Sequence, residues 1–145
     1  MTQHTVIDRI ELPSGYKPSN DEEFMNPLHL EYFRRKLEDW KDDIMRVSAE
    51  TLQNLQQDNL REPDLADRAS SETDWGVELR TRDRQRKLIS KIDAAIGRID
   101  EGEYGYCEVS GDPINLRRLD ARPIATMTIE AQEAHERSEK VHRDD

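Results

Sequence analysis

Two aspartates three residues apart, Asp64 and Asp67, stand in the stretch REPDLADRASSE (residues 61–72). Carboxylates at this spacing can cap a helix or close an Asx turn. They can also supply half of a metal site or an acid/base pair. Catalysis needs a cleft that excludes water and shifts a pKa, and a short connector between two helices offers none. Two roles remain: a plain turn, or an acidic finger that carries charge into a partner's cavity.

A second group is basic. RTRDRQRKLISK (80–91) sets Arg80, Arg82, Arg84, Arg86, Lys87 and Lys91 against one acid, Asp83. Arg80, Arg84, Lys87 and Lys91 follow helical spacing and share one face. Such a stripe can pair with acids of a neighbouring helix, such as Glu38, Asp42 and Asp43. It can also hold an acidic protein surface or a phosphorylated ligand. Arg117, Arg118 and Arg122 form a second basic group.

Soft metal ligands are scarce. Cys107 is the one cysteine, so no internal disulfide can form. A structural zinc site needs four Cys or His ligands. None of His4, His29, His135 and His142 has a partner at ligand spacing, and no metal is expected. His29 and His135 read as surface residues, and Cys107 as a small buried hydrophobe.

The elements that must position these groups follow from hydrophobic spacing. Asn26 and Pro27 suit the N-cap and first position of a helix. From there Leu30, Phe33, Leu37, Trp40, Ile44, Val47, Thr51 and Leu55 make a near-heptad seam ending before Pro63. A helix of this length spans roughly 50 Å. A second seam runs through Trp75, Leu79, Arg82, Arg86, Ile89, Ile92, Ile96 and Ile99, with a Ser70/Ser71 pair as its cap and an end near Gly102. Two long helices with a short connector return on each other as an antiparallel hairpin. After Gly102 the glycines, prolines and SGDP turn give a small head of short strands and turns. Helical character returns from Thr128, with Thr126 or Thr128 as cap. The expected fold is mainly α, with three regions. Residues 1–26 form an arm with a possible short helix. Residues 27–102 form a long antiparallel coiled-coil hairpin with its tip at 61–71. Residues 103–145 form a small metal-free head and a C-terminal helix. Tyr104, Tyr106, Ile114, Leu119 and Ile129 are the candidate core of that head.

Composition agrees with a thin structure. Only 34% of the 145 residues are hydrophobic and 37% are charged, which suits a narrow buried seam better than a broad core. The formal charge of −10 opposes general nucleic-acid binding. No apolar run is long enough for a signal peptide or a membrane span, so a cytoplasmic monomer without direct DNA or membrane binding is expected.

Four blocks in order resemble the DksA family of bacterial transcription factors. DLADRAS matches the tip pattern D-x-x-D-x-A at Asp64, Asp67 and Ala69. MNPLHLEYFRRKLEDW is similar to the family's first helix, and ELRTRDRQRKLISKI to its second. GYCEVSGDPINLRRLDARPIA looks like its zinc-finger head. The resemblance implies a non-enzymatic factor that enters the secondary channel of RNA polymerase and, with guanosine tetraphosphate as effector, regulates initiation in the stringent response. It implies that Asp64, Asp67 and Ala69 approach the polymerase active site and that Arg84 contacts the channel rim. It places the nucleotide near Lys87, Leu88, Lys91, Arg122 and Gln132. Two departures stand out. The family's four zinc ligands correspond to Cys107, Ser110, Thr128 and Ala131, so three are lost and a degenerate, zinc-independent head is implied. Gln132 stands where the family pocket carries a lysine. A nucleotide-independent secondary-channel factor and a helical-hairpin protein-interaction adaptor are the alternatives.

Overall fold

The computed structural model of the chain describes residues 9–61 and 65–143, with side chains at 9–57 and 72–142. The chain is mainly α-helical, with α1 (Pro27–Arg61), α2 (Leu65–Glu101), α3 (Leu116–Ala121) and α4 (Ile129–Arg143). It divides into two compact units, Met1–Leu37 with Ala94–Asp145, and Glu38–Asp93.

α1 starts where its caps dictate. The Asn26 side chain accepts from the backbone N–H groups of Leu28 at 2.8 Å and His29 at 3.2 Å. Two of the orphan donors of the first turn are thereby satisfied. α2 begins at Leu65, so Ser70 and Ser71 lie inside it and do not cap it. Leu65, Ala66 and Ala69 are strong helix formers, and they carry the helix upstream of the serine pair. At its other end, Gly102 takes φ 77°, the left-handed turn that closes a helix most cheaply with glycine. The Glu103 and Tyr104 N–H groups then return to the Arg98 carbonyl at 2.9 and 3.2 Å.

The two long helices are antiparallel and in contact. In the unit Glu38–Asp93, Lys41 pairs with Asp93 at 2.7 Å, and the Ser48 hydroxyl donates to Gln85 Oε1. Partners rise along α1 as they fall along α2, which defines the antiparallel register. The inward positions differ from the expected seam. Ser48, not Val47, turns toward α2, and Glu78 and Gln85 are more covered than Leu79 and Arg86. Val47 is 45% and Leu79 58% exposed. A helix at 3.6 residues per turn carries Ile44 to position 48, whereas a strict heptad would have chosen 47.

In the other unit, Phe33, Leu37, Ala95 and Ile99 of the long helices are buried, as are Tyr104, Cys107, Ile114, Leu116, Leu119 and Ala125. Phe33 and Tyr104 meet with ring centroids 5.5 Å apart. The Tyr104 hydroxyl donates to the Pro123 carbonyl at 2.7 Å, so the largest buried ring keeps its polar end satisfied. Tyr106 and Ile129, expected in this core, are exposed instead. Tyr106 lies in an isolated antiparallel bridge to Pro113 and turns outward against Phe24 at 5.4 Å. Ile129 is the first residue of α4, and α4 past Gln132 is exposed throughout its described side chains.

The arm is fastened by charge. Glu31 on α1 is buried, and its Oε1 accepts from Arg35 Nε at 2.8 Å and Arg9 Nε at 3.3 Å. Arg35 also donates to the Ile10 carbonyl at 3.0 Å. His29, expected at the surface, is fully buried. Its Nδ1 accepts the Met25 N–H at 3.2 Å, and its Nε2 lies 3.6 Å from Glu22. Met25 has φ 56°, and its thioether seats on Gly105, where an added Cβ would fall 2.7 Å from Met25 Cε. Met25 could shift its thioether aside, so glycine is favoured at position 105 chiefly by its φ of 92°, in the left-handed region where a Cβ is strained.

Candidate protein-interaction and effector residues

The expected tip lies outside what the structure describes. Asp64 is not among the described residues; Asp67 and Ala69 fall in the first turns of α2, with their side chains outside the description.

The basic stripe is real and solvated. Arg80, Arg84, Lys87 and Lys91 are all exposed on α2, while Leu88 is half-buried. Arg84 borders a surface hollow with Leu79, Arg80 and Asp83. Lys87 pairs with Asp83, one turn back, at 3.3 Å. Among the described ion pairs, none joins Arg80, Arg82, Arg84, Arg86 or Lys91 to an acid of α1. Lys41, from α1, uses Asp93 instead, and Arg46 uses Asp43 and Glu50 of its own helix. The exposed face of α2 thus presents Arg80, Arg84, Lys87 and Lys91 to solvent. Arg84, Lys87, Leu88 and Lys91 belong to the unit Glu38–Asp93, and Arg122 and Gln132 to the other. Arg122 follows α3 and is exposed. Gln132 donates to Glu136 at 3.0 Å, one turn along α4.

Around Cys107 the backbone forms a closed turn. The Cys107 N–H donates to the Asp112 carbonyl at 2.8 Å, and the Gly111 N–H returns to the Cys107 carbonyl at 2.9 Å. The Glu108 N–H reaches the Thr126 carbonyl at 2.8 Å. Thr128 is the cap of α4, its Oγ1 accepting from the Ala131 N–H at 3.2 Å. The same hydroxyl lies 4.0 Å from Cys107 Sγ. Burial pushes the Cys107 thiol up, but the Ser110 hydroxyl and the backbone N–H groups of Ser110, Thr128 and Val109 outweigh it and bring the thiol down to about 6. Cys107 is buried as expected, and polar groups from residues 109–110 and from Thr128 lie around its sulfur. Spacing alone carries no signal for this, because the donors come from two separated segments.

Two tyrosines near the arm show a similar logic. Burial and a 2.6 Å bond to Asp120 push Tyr32 up to about 12. Lys36 first, and Tyr32 second, hold Asp120 below the usual carboxylate range. Burial and its bond to Glu22 likewise push Tyr16 up to about 12. These groups stay in fixed protonation states near neutral pH and serve the fold.

Two family models match the chain in sequence. "DnaK suppressor protein DksA, N-terminal domain" covers residues 29–99, and "Prokaryotic dksA/traR C4-type zinc finger" covers residues 102–137. The chain is 64% identical over 132 residues to the RNA polymerase-binding transcription factor DksA of Caulobacter vibrioides, covering 91% of this chain and 93% of that one. It is 39% identical over 125 residues to the protein of the same name from Escherichia coli K12, covering 86% and 83%. The solved structure of transcription factor DksA2 from Pseudomonas aeruginosa superposes with TM-score 0.74 at 37% identity, covering 81% of this chain and 90% of that one. These relatives are named as transcription factors, not enzymes.

The zinc that the second model's description implies does not fit these residues. A C4 site needs four thiolates, and the chain has one cysteine. Among the described residues no group of three or more His, Cys, Asp or Glu side chains could hold a metal ion. Ser110 spends its hydroxyl as an acceptor for the Asp112 N–H at 3.3 Å, and Ala131 has no donor atom to offer. Both segments of the match, the identity across nine-tenths of the chain and the shared fold lead to one conclusion: this chain belongs to the DksA family, and its zinc-finger segment carries one cysteine where a C4 site needs four.

Proposed function

We propose that the chain is an RNA polymerase-binding transcription factor that works through the secondary channel, with guanosine tetraphosphate as effector. The observation that carries this reading is the 64% identity to a polymerase-binding DksA over 91% of the chain. The exposed basic stripe supports it, since Arg84 stands free of described ion pairs and can serve the channel rim. In this reading residues 27–102 are the coiled-coil hairpin that enters the channel. Asp64, Asp67 and Ala69 are its working tip. Residues 103–145 hold the degenerate zinc-finger-like head and the last helix. Lys87, Lys91 and Arg122 supply charge for the nucleotide's phosphates, with Leu88 and Gln132 beside it. The factor is a cytoplasmic monomer and makes no direct contact with DNA.

In vitro transcription from a ribosomal promoter tests the reading. Wild-type protein should inhibit initiation, and more strongly with guanosine tetraphosphate. Asp67→Asn should abolish the effect while polymerase binding persists, and Arg84→Ala should weaken binding itself. Normal inhibition by Asp67→Asn would reduce the tip to a turn.

Gln132 favours a second reading, a channel factor that ignores the nucleotide. Its side chain is neutral and already bonded to Glu136. In that case the nucleotide would change nothing for wild-type protein, and Gln132→Lys would create a response.

A further inference from the structure

The unit Glu38–Asp93 carries a groove that the basic stripe does not use. Met45, Ala49 and Leu52 line one wall, and Arg82, Arg86 and Ile89 the other, with Ser48 and Gln85 between them. Its volume is about 340 Å³. Each wall steps by four and then three residues, so each is one face of a helix over two turns, roughly 10 Å of length. The α1 wall is apolar and open, with Met45 52% exposed. The α2 wall ends in two guanidinium groups one turn apart. No described ion pair engages either one; Asp83, their nearest acid in sequence, is taken by Lys87.

We infer that this groove docks an acidic amphipathic helix of RNA polymerase, in addition to the contact at Arg84; the inference rests on the functional reading above. A helix laid between two helices matches both walls, because its own side chains repeat every turn. Its apolar row covers Met45, Ala49 and Leu52, and its carboxylates meet Arg82 and Arg86. Ala49 lets the incoming backbone approach closely. A strand fits poorly, since the groove offers no free backbone edge. A nucleic acid is disfavoured by the apolar wall and by the chain's net charge of −10. Charge complementarity selects the acidic partner: in a strongly acidic chain, the two arginines mark a local reversal beside the largest exposed apolar residue of α1.

Purified RNA polymerase core and full-length protein test this by fluorescence anisotropy, with helicity and thermal stability measured in parallel. Ala49→Glu and Arg86→Glu should each weaken binding roughly tenfold or more, and Arg86→Lys should retain most of it. If Ala49→Glu loses helicity, Ala49→Gln and Arg86→Gln carry the test with the same expected direction. Wild-type binding that both substitutions leave intact overturns the groove alone and spares the functional reading. Wild-type protein that fails to bind polymerase overturns both. If sedimentation shows a dimer that Ala49→Glu dissociates, while polymerase binding is unchanged, the occupant is a second copy and the polymerase assignment falls.

Discussion

Cys107 is the residue at which chemistry departs furthest from what its type suggests. Converging N–H and O–H donors hold its thiol down to about 6, against an ordinary value of 9.0. A thiol depressed by folding contributes stability that is fully present above its unfolded pKa. That contribution is lost as pH falls through the folded pKa. The window therefore runs from about 9 down to about 6. Thiolate absorbance at 240 nm should titrate with a midpoint near 6 in folded protein and near 9 in denaturant. Stability of Cys107→Ser should lose up to one proton's worth of slope across that window. A midpoint above 8 in folded protein would show that the donors do not reach the sulfur. Other residue-level expectations fell to context. His29 has no hydrophobic label, yet it is buried beneath the arm because its Nδ1 answers the Met25 N–H. Tyr106 and Ile129 look like core residues by type, but a bridge and a helix start turn them outward.

Among the elements, the two long helices were legible from their spacing, but the identity of the inward face in mid-helix was not. There the apolar and polar positions compete. Val47 and Leu79 stay outside, and Ser48 meets Gln85 inside. A part-buried polar pair satisfies itself but adds little net stability, whereas apolar groups of similar shape can be neutral or stabilising. Replacing both, as Ser48→Ala with Gln85→Leu, should stabilise by about 1 kcal/mol, which raises the Tm by about 3 °C. Calorimetry decides it: a fall in Tm would mean that the polar pair fixes the register of the helices. The start of α2 teaches the same lesson. Ser70 and Ser71 have the right chemistry for a cap, but residue type alone does not choose among several candidate starts, and the helix formers upstream prevail.

At the scale of the whole molecule, the segment 102–137 matches a C4 zinc-finger model but has a single cysteine, so packing and hydrogen bonds must hold it. Tyr104, Ile114, Leu116 and Leu119 are buried there. The Ile114 N–H reaches the Gly105 carbonyl at 2.7 Å and the Arg122 N–H reaches the Arg118 carbonyl at 2.7 Å. A structural zinc contributes about 10–16 kcal/mol to folding where it is present. A segment held without one should be indifferent to chelators. Excess EDTA and a zinc-selective chelator should leave the Tm within about 1 °C of its starting value, far less than the loss of such a contribution would cause. Stoichiometric zinc in the purified protein, or a large fall in Tm, would overturn the zinc-free reading.

The sequence by itself determined the family, the helical class, the caps at Asn26 and Gly102, and the impossibility of a four-thiolate site. These follow from local rules: hydrophobic period, cap chemistry, cysteine count and motif order. Tertiary structure decided what local rules leave open. It set which of two adjacent residues faces the seam, that Glu31 and His29 are buried under the arm, and that donors from two segments converge on Cys107. It also set that Arg82 and Arg86 face Met45, Ala49 and Leu52 across one groove. The physical reason is common to all four. Each depends on groups from separate segments of the chain meeting in space, and spacing along the chain cannot encode that distance.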